Sequence, residues 1–142
     1  MEIPQVVRNY VEAWCARDLD GYLAAYASDG MYCSPSVPKP TLVHDLKDHF
    51  VEFFAAFPDA SCETVGLDAI ADDFWVWRFV IRGTHTGSFK GLAATGRKVE
   101  TPGCEFIELR DNRVHSVVGY FDRLTMLNQL GLAASSSLSA HT

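Results

Sequence analysis

Apolar residues recur every three or four positions near the start of the chain, which is the spacing of one face of an α-helix. The apolar positions of this first predicted helix are Ile3, Val6, Val7, Tyr10, Val11 and Trp14. A second short helix, which carries Leu19 to Tyr26, is predicted after Asp18, because aspartate favours the N-cap. A third is predicted between Thr41, as its cap, and Pro58, because proline stops a helix.

The pattern changes after residue 61, where β-favouring residues dominate and turn residues divide them into segments. Strands are predicted over 61–71, 73–86, 97–110 and 113–122, with a brief earlier strand near Met31 that runs into a proline-rich loop. Alternation along 73–86 gives one face to Trp75, Trp77, Phe79 and Ile81, which predicts a core. A last helix is predicted over 123–131, and the small, polar residues of 132–142 predict a disordered tail.

Helices that precede long antiparallel strands predict an α+β fold in which the helices cover one face of a sheet. A strongly curved sheet would close over these helices as a cone. The chain has 142 residues, which suits a single domain over 1–131 built around one core.

Charge and composition limit the classes of function. The formal net charge is −6, which argues against a phosphate-binding surface, so nucleic acid is not an expected partner. No apolar run approaches the roughly 18 residues of a membrane span, and the N-terminus lacks the pattern of a signal peptide. We therefore predict a cytoplasmic protein with no membrane partner.

Metal chemistry is not indicated by the potential ligands. The four cysteines lie far apart and form no C-x-x-C pair, which predicts buried free thiols. His44 and His49 are five positions apart on a predicted helix, whereas two ligands on one helix face need a spacing of three or four. We predict no metal site and no cofactor.

A carboxylate stands where the last strand meets the last helix. Asp122 follows Tyr120 and Phe121, and it has two possible roles, which do not exclude one another. It can cap the helix, or it can act as a general base whose pKa is raised toward neutrality by an apolar pocket.

The residues that face Asp122 depend on the turn at Asp111-Asn112. A two-residue turn places Thr101, Gly103 and Glu105 on the face of Asp122, Tyr120 and Val118. A three-residue loop instead places there Pro102, Cys104, Phe106 and Glu108. Glu108 can also be a solvated strand residue paired with His115.

His85 is a further titratable candidate, because it continues the face of Trp75 and Trp77 near the end of its strand. It could donate a hydrogen bond to a substrate carbonyl at the mouth of the cone. It could equally hold the glycine-rich segment that follows it.

Three segments carry a resemblance to a known family. The segments "GTHTGSFKGLAATGRKV" (83–99), "LRDNRV" (109–114) and "LNQLG" (127–131), with an aspartate before the last, resemble the SnoaL-like polyketide cyclases of the NTF2-like superfamily. The resemblance implies a cone-shaped α+β barrel that is often dimeric through the outer sheet face. It also implies that Asp122 is the acid/base of an intramolecular aldol ring closure, without a cofactor. The family's assisting histidine is matched here by Glu108, which departs from the family pattern.

Together these features predict a cofactor-independent cyclase that acts on a hydrophobic polyketide-type carbonyl substrate. The predicted catalytic residues are Asp122, Glu108 and His85, and the predicted pocket residues are Tyr120, Phe106, Cys104, Trp77, Trp14, Tyr26 and Tyr32. A homodimer is expected.

Three other functions remain open. One is an isomerase resembling ketosteroid isomerase, with a phenol donor from Tyr120, Tyr26 or Tyr32. Another is an epoxide hydrolase resembling limonene epoxide hydrolase, whose water-activating aspartate would fall at Gly119. The third is a non-catalytic carrier of an apolar small molecule.

Overall fold

Four α-helices and six strands make up the part of the chain that the computed structural model describes, residues 2–132. In chain order they are α1 (Gln5–Cys15), α2 (Leu19–Ala24), β1 (Tyr26–Ser34), β2 (Val37–Leu42), α3 (Lys47–Ala56), β3 (Ser61–Ala71), β4 (Phe74–Thr84), β5 (Lys98–Arg110), β6 (Arg113–Phe121) and α4 (Arg123–Gln129). The predicted disorder of the tail concerns residues that lie, apart from Leu132, outside the described range.

The six strands form one open sheet in the order β2-β1-β6-β5-β4-β3. Only the β1–β6 pair is parallel among these neighbours, and the other pairs are antiparallel. Tyr10 and Val7 of α1 pack in the same core cluster as Trp75, Trp77 and Ile107 of the sheet. We call this helix-covered side of the sheet the inner face. The predicted α+β class, with helices against a mostly antiparallel sheet, is confirmed.

The first hairpin differs from the prediction. Tyr26 opens β1 rather than ending α2, and the predicted proline-rich loop contains β2, which pairs with β1. The predicted cap at Thr41 is wrong, because Thr41 lies in β2 and its Oγ1 donates to the carbonyl of Lys39. Strand β2 is at the edge of the sheet, where a proline need not donate to a neighbouring strand. Helix α3 begins only at Lys47, after a 3-10 turn over Val43–Leu46.

The β5–β6 hairpin combines parts of both predicted registers. Asp111 and Asn112 both have positive φ, 52° and 59°, as a two-residue type I′ turn requires. Beyond the turn, Leu109 pairs with Val114 but Glu108 pairs with Ser116. His115 is therefore the extra residue of a β-bulge, and Glu108 is not paired with His115.

Because of this bulge, the residues of β5 on the face of Asp122 are not those predicted for a two-residue turn. Cys104 pairs with Tyr120 and Phe106 pairs with Val118, whereas Glu105 pairs with Gly119. The turn is the two-residue one, yet the face of Asp122 carries the residues expected for the three-residue loop. Tyr120 is 58% exposed, so this is the outer face of the sheet.

Candidate functional site

Glu105 is a buried carboxyl group in the middle of the inner face. Alternation along β5 points Thr101, Glu105 and Ile107 inward, and only 9% of Glu105 is exposed. Burial disfavours the charged form and raises the pKa of Glu105 to about 7. The pKa of this carboxyl group therefore lies near neutral pH.

Three buried phenols lie behind Glu105. Tyr10 Oη donates to Glu105 Oε1 at 2.6 Å. The hydroxyls of Tyr22 and Tyr26 each lie 3.3 Å from that of Tyr10, and 2.7 Å from one another. Burial raises the pKa of each of these phenols well above its ordinary value, so they remain protonated donors across the physiological range.

An apolar cavity of about 80 Å³ opens in front of Glu105. Its walls are mostly aromatic and aliphatic: Trp14, Tyr32, Phe50, Phe53, Phe79, Ile81, Phe89, Val99, Phe121 and Met126. Its polar lining residues are Glu105, Thr101, Ser34, Ser36 and His49. The Oγ1 of Thr101 is buried and has no hydrogen-bond partner among residues 2–132, so this hydroxyl is free to bind a ligand oxygen.

Asp122 lies outside this cavity. It is exposed and caps α4: Oδ1 accepts from Thr125 N at 2.9 Å, and Oδ2 accepts from Thr125 Oγ1 at 2.6 Å. The predicted cap is confirmed. These hydrogen bonds, the one from the Thr125 side chain first, lower the pKa of Asp122, which is opposite to the shift expected in an apolar pocket. The apolar setting predicted for Asp122 is found at Glu105.

Four other predicted site residues also lie on the outer face: Cys104, Phe106 and Glu108 through the alternation of β5, and Tyr120 through the register that the bulge at His115 sets. Tyr120 and Phe106 pack edge to face with ring centroids 6.1 Å apart, next to Cys104. Glu108 is exposed. None of the four lines the cavity, which corrects the predicted pocket lining.

The remaining predicted residues are divided between the cavity and the core. Trp14 and Tyr32 line the cavity. Tyr26 belongs to the phenol cluster behind Glu105. Trp77 is buried in the core, where its Nε1 donates to Thr64 Oγ1, so it is not a wall of the cavity.

His85 is fully buried but does not line the cavity. Its ring stacks on Phe57 with centroids 5.3 Å apart. Its Nδ1 accepts from Thr95 N at 3.3 Å and lies 3.1 Å from Thr95 Oγ1. This geometry fits the expectation that His85 holds the glycine-rich segment, rather than the expectation that it meets a substrate at the mouth.

The cysteines and the other potential metal-ligating side chains form no cluster among residues 2–132. All four cysteines are free thiols, as predicted, but each is half-buried rather than buried. Between residues 2 and 132 there is no group of three or more His, Cys, Asp or Glu side chains placed to hold a metal ion. Within the same range no helix has the length and apolar character needed to cross a membrane.

A signal for Glu105 was present in the sequence. Positions 99, 101, 103, 105, 107 and 109 are Val, Thr, Gly, Glu, Ile and Leu, which places one carboxylate in an otherwise uncharged inward series. The alternation shows that these residues share a face, but the bulge decides whether Asp122 shares it. The hairpin therefore had to be known before Glu105 could be separated from Asp122.

Comparisons with known proteins agree with this architecture. AclR of Streptomyces galilaeus, described as a candidate hydroxylase, is 24% identical with a TM-score of 0.80, covering 97% of this chain and 96% of its own. IdmH of Streptomyces antibioticus, described as a candidate polyketide cyclase, is 26% identical with a TM-score of 0.75, covering 90% and 97%. A SnoaL-like protein of Jannaschia sp. CCS1 is 19% identical with a TM-score of 0.77, covering 88% of each chain.

No curated protein sequence matches the chain significantly. A family model does match, over residues 4–130, and its description is SnoaL-like polyketide cyclase. The match spans all four helices and all six strands described above, including β5 with Glu105. This chain belongs to the SnoaL-like polyketide cyclase family.

Proposed function

We propose that this protein catalyses a cofactor-independent proton transfer on a hydrophobic carbonyl compound, leading to closure of a polyketide ring, with Glu105 as the general base. The observation that carries the proposal is a buried carboxyl group with a pKa of about 7 at an apolar cavity. A base works best when its pKa is near the operating pH. Family membership and the likeness to IdmH, a candidate polyketide cyclase, support the choice of substrate class.

The proposed reaction has three steps and consumes no other reactant. Ionised Glu105 takes a proton from the carbon next to a substrate carbonyl, which leaves an enolate. The enolate carbon attacks a second carbonyl of the same molecule, forming the ring's carbon–carbon bond and an alkoxide. The alkoxide then takes the proton back from Glu105. The unpartnered hydroxyl of Thr101 is suited to bind one of the substrate oxygens.

The cavity must widen to accept a polyketide. Pockets for drug-sized ligands usually enclose about 300–1,000 Å³, whereas this cavity encloses about 80 Å³. Phe89 is an aromatic wall residue that lies outside the helices and strands, in the segment between β4 and β5. We propose that the substrate displaces Phe89 on entry.

A ketosteroid-isomerase-like reaction is the second candidate, because it begins with the same proton abstraction. It needs a phenol that donates to the substrate oxygen. Tyr32 lines the cavity and could supply this donor, whereas Tyr120 lies on the outer face and Tyr26 lies behind Tyr10. Formation of a ring product would favour cyclisation, and migration of a double bond would favour isomerisation.

The test uses the first step alone, with acetone as a carbonyl compound small enough for the cavity. Deuterium exchange at its methyl groups in D₂O, followed by NMR, reports proton abstraction. Glu105→Gln should lower the enzyme-dependent exchange rate about 10²-fold or more, because the amide cannot accept the proton.

Asp122→Asn is the matched control. The catalytic role of Asp122 remains a prediction of the family resemblance. With Glu105 as the base, Asp122→Asn should retain most of the exchange rate. The proposal fails if Glu105→Gln exchanges deuterium as fast as the parent. Loss of exchange in Asp122→Asn but not in Glu105→Gln would identify Asp122 as the general base.

A further inference from the structure

We infer that Tyr10 is a positioning residue: its hydroxyl occupies Oε1 of Glu105 and leaves Oε2 as the oxygen that accepts the substrate's proton. The inference rests on the proposed function, since it assigns the working atom of the same base. The bond from Tyr10 to Oε1 is short, at 2.6 Å, as hydrogen bonds to a carboxylate are. Tyr10 is completely buried, so water does not compete for this hydroxyl.

Packing on two sides fixes the Tyr10 ring. The ring lies 4.9 Å from that of Tyr22 and meets Trp77 edge to face at 6.0 Å. A side chain in helix α1 is thereby held against strand β5, across the core. The carboxyl group of Glu105 thus has a fixed partner on one oxygen only.

The phenol cluster directs its hydrogen bonds toward Glu105. A hydroxyl has one proton to donate, and Tyr10 uses it on Oε1. The oxygen of Tyr10 can then only accept, from Tyr22 or Tyr26 at 3.3 Å. A donor that itself accepts a hydrogen bond is strengthened, since such chains are cooperative.

Gly119 of β6 lies beside the other oxygen of the carboxyl group. A Cβ atom placed on Gly119 would lie 3.4 Å from Glu105 Cγ and 3.6 Å from Oε2. The missing side chain leaves room beside this oxygen. Among residues 2–132 no group donates a hydrogen bond to Oε2, in contrast to Oε1.

No cation of the described residues pairs with Glu105. The titratable groups that face it are Tyr10 from α1, Tyr22 from α2, Tyr26 and Tyr32 from β1, and Cys62 from β3. His49 of α3 lines the same cavity, and burial lowers its pKa, which favours its neutral form. The hydrogen bond from Tyr10 is therefore the main interaction that favours the ionised carboxyl group.

The test measures the titration of Glu105 itself, by NMR of protein carrying ¹³C-labelled glutamate, with Glu105→Gln to identify the signal. Tyr10→Phe removes the bond to the carboxylate and should raise the pKa of Glu105 by about one unit. The acid limb of the acetone exchange profile should move up by the same amount. Tyr22→Phe, which loses a phenol hydroxyl that hydrogen-bonds to Tyr10 and Tyr26 rather than to Glu105, should cause a clearly smaller shift.

A second variant guards against misfolding of Tyr10→Phe. Fluorotyrosine at position 10 keeps the shape of the ring and makes the phenol a stronger donor, so it should lower the pKa of Glu105. An unchanged pKa of Glu105 in both Tyr10→Phe and the fluorotyrosine variant would overturn the inference. Equal pKa shifts of Glu105 in Tyr10→Phe and Tyr22→Phe would also overturn it. If these shifts occur but Glu105→Gln still exchanges deuterium at the parent's rate, the hydrogen bond from Tyr10 to Oε1 stands, whereas the proposed function and the assignment of Oε2 as the accepting atom both fail.

Discussion

Asp122 shows how two roles inferred for one residue separate once its contacts are known. Both carboxylate oxygens accept from Thr125, as in an N-cap. We expect Asp122→Ala to lower the melting temperature by a few degrees, because the cap of α4 is lost. Asp122→Asn should stay within about one degree of the parent, since asparagine caps nearly as well. Thermal unfolding followed by circular dichroism measures both.

Amide hydrogen exchange would locate the effect of that change. Faster exchange confined to α4 in Asp122→Ala is the expected result. Equal melting temperatures for the parent and Asp122→Ala would show that the two hydrogen bonds from Thr125 contribute nothing to stability.

The chemistry of the site could be predicted from residue types, but the residue that carries it could not. An acid with a raised pKa in an apolar setting was expected from a carboxylate flanked by aromatic residues. The sequence neighbours of Asp122 are aromatic, yet Tyr120 is exposed, whereas the neighbours of Glu105 in space come from α1, α2 and β1. Sequence adjacency identifies the neighbours of a residue along the chain. It does not identify its neighbours in space, which depend on how the helices pack against the sheet.

Individual elements followed the sequence closely where local patterns determine them. The strand predicted over 61–71 is β3 (Ser61–Ala71), and that predicted over 113–122 is β6 (Arg113–Phe121). Turn residues and alternation act within a few positions, so these bounds are encoded locally. Strand β2 was missed because its pairing with β1 at the sheet edge, rather than its own residues, makes it a strand.

The helices show the same division. The first helix was predicted from its apolar spacing and is present as α1 (Gln5–Cys15). The third was predicted to begin five residues too early, because Thr41 resembles a cap in sequence but belongs to an edge strand in the structure. At Thr41, strand pairing in the sheet outweighed the local capping signal.

For the molecule as a whole, Glu105 predicts a pH-dependent stability. Its pKa is about 7 in the folded state and ordinarily 4.5. Below about pH 4.5 the group is protonated in both states, so its contribution to stability is then complete. As pH rises toward 7 the unfolded chain ionises more readily, and the free energy of unfolding should fall by about 3 kcal/mol before levelling off.

Urea unfolding of the parent and of Glu105→Gln, measured between about pH 5 and pH 8, tests this. The parent should lose stability relative to the variant across that range, because only the parent carries the buried acid. Other titrating groups, such as His49, are common to both proteins and cancel in the difference. Parallel stability curves would show that Glu105 does not have a raised pKa.

The outer sheet face is the expected surface for self-association. Val65 and Tyr120 are 56% and 58% exposed there, and Phe106 adds to the apolar area. We propose a homodimer through this face, with twice the mass of the chain in sedimentation at micromolar concentration.

Tyr120→Glu should then yield a monomer. Val51→Glu is the matched control, because Val51 is also about half exposed but lies on helix α3 rather than on the sheet. A parent that sediments as a monomer would refute the dimer, and equal dissociation in the two variants would place the interface elsewhere.

The bulge at His115 also affects how this chain should be aligned with its relatives. A column of an ungapped alignment assumes that equivalent residues face the same way, but one extra residue in β6 reverses inside and outside for every position beyond it. Asp122 lies beyond the extra residue, so an ungapped column assigns it to the wrong face, whereas Glu108 lies on β5 and is unaffected by the bulge. A relative that lacked the bulge would direct inward the residue in the column of Tyr120, which this chain exposes, so equivalence in this part of β6 has to be assigned by strand face rather than by column.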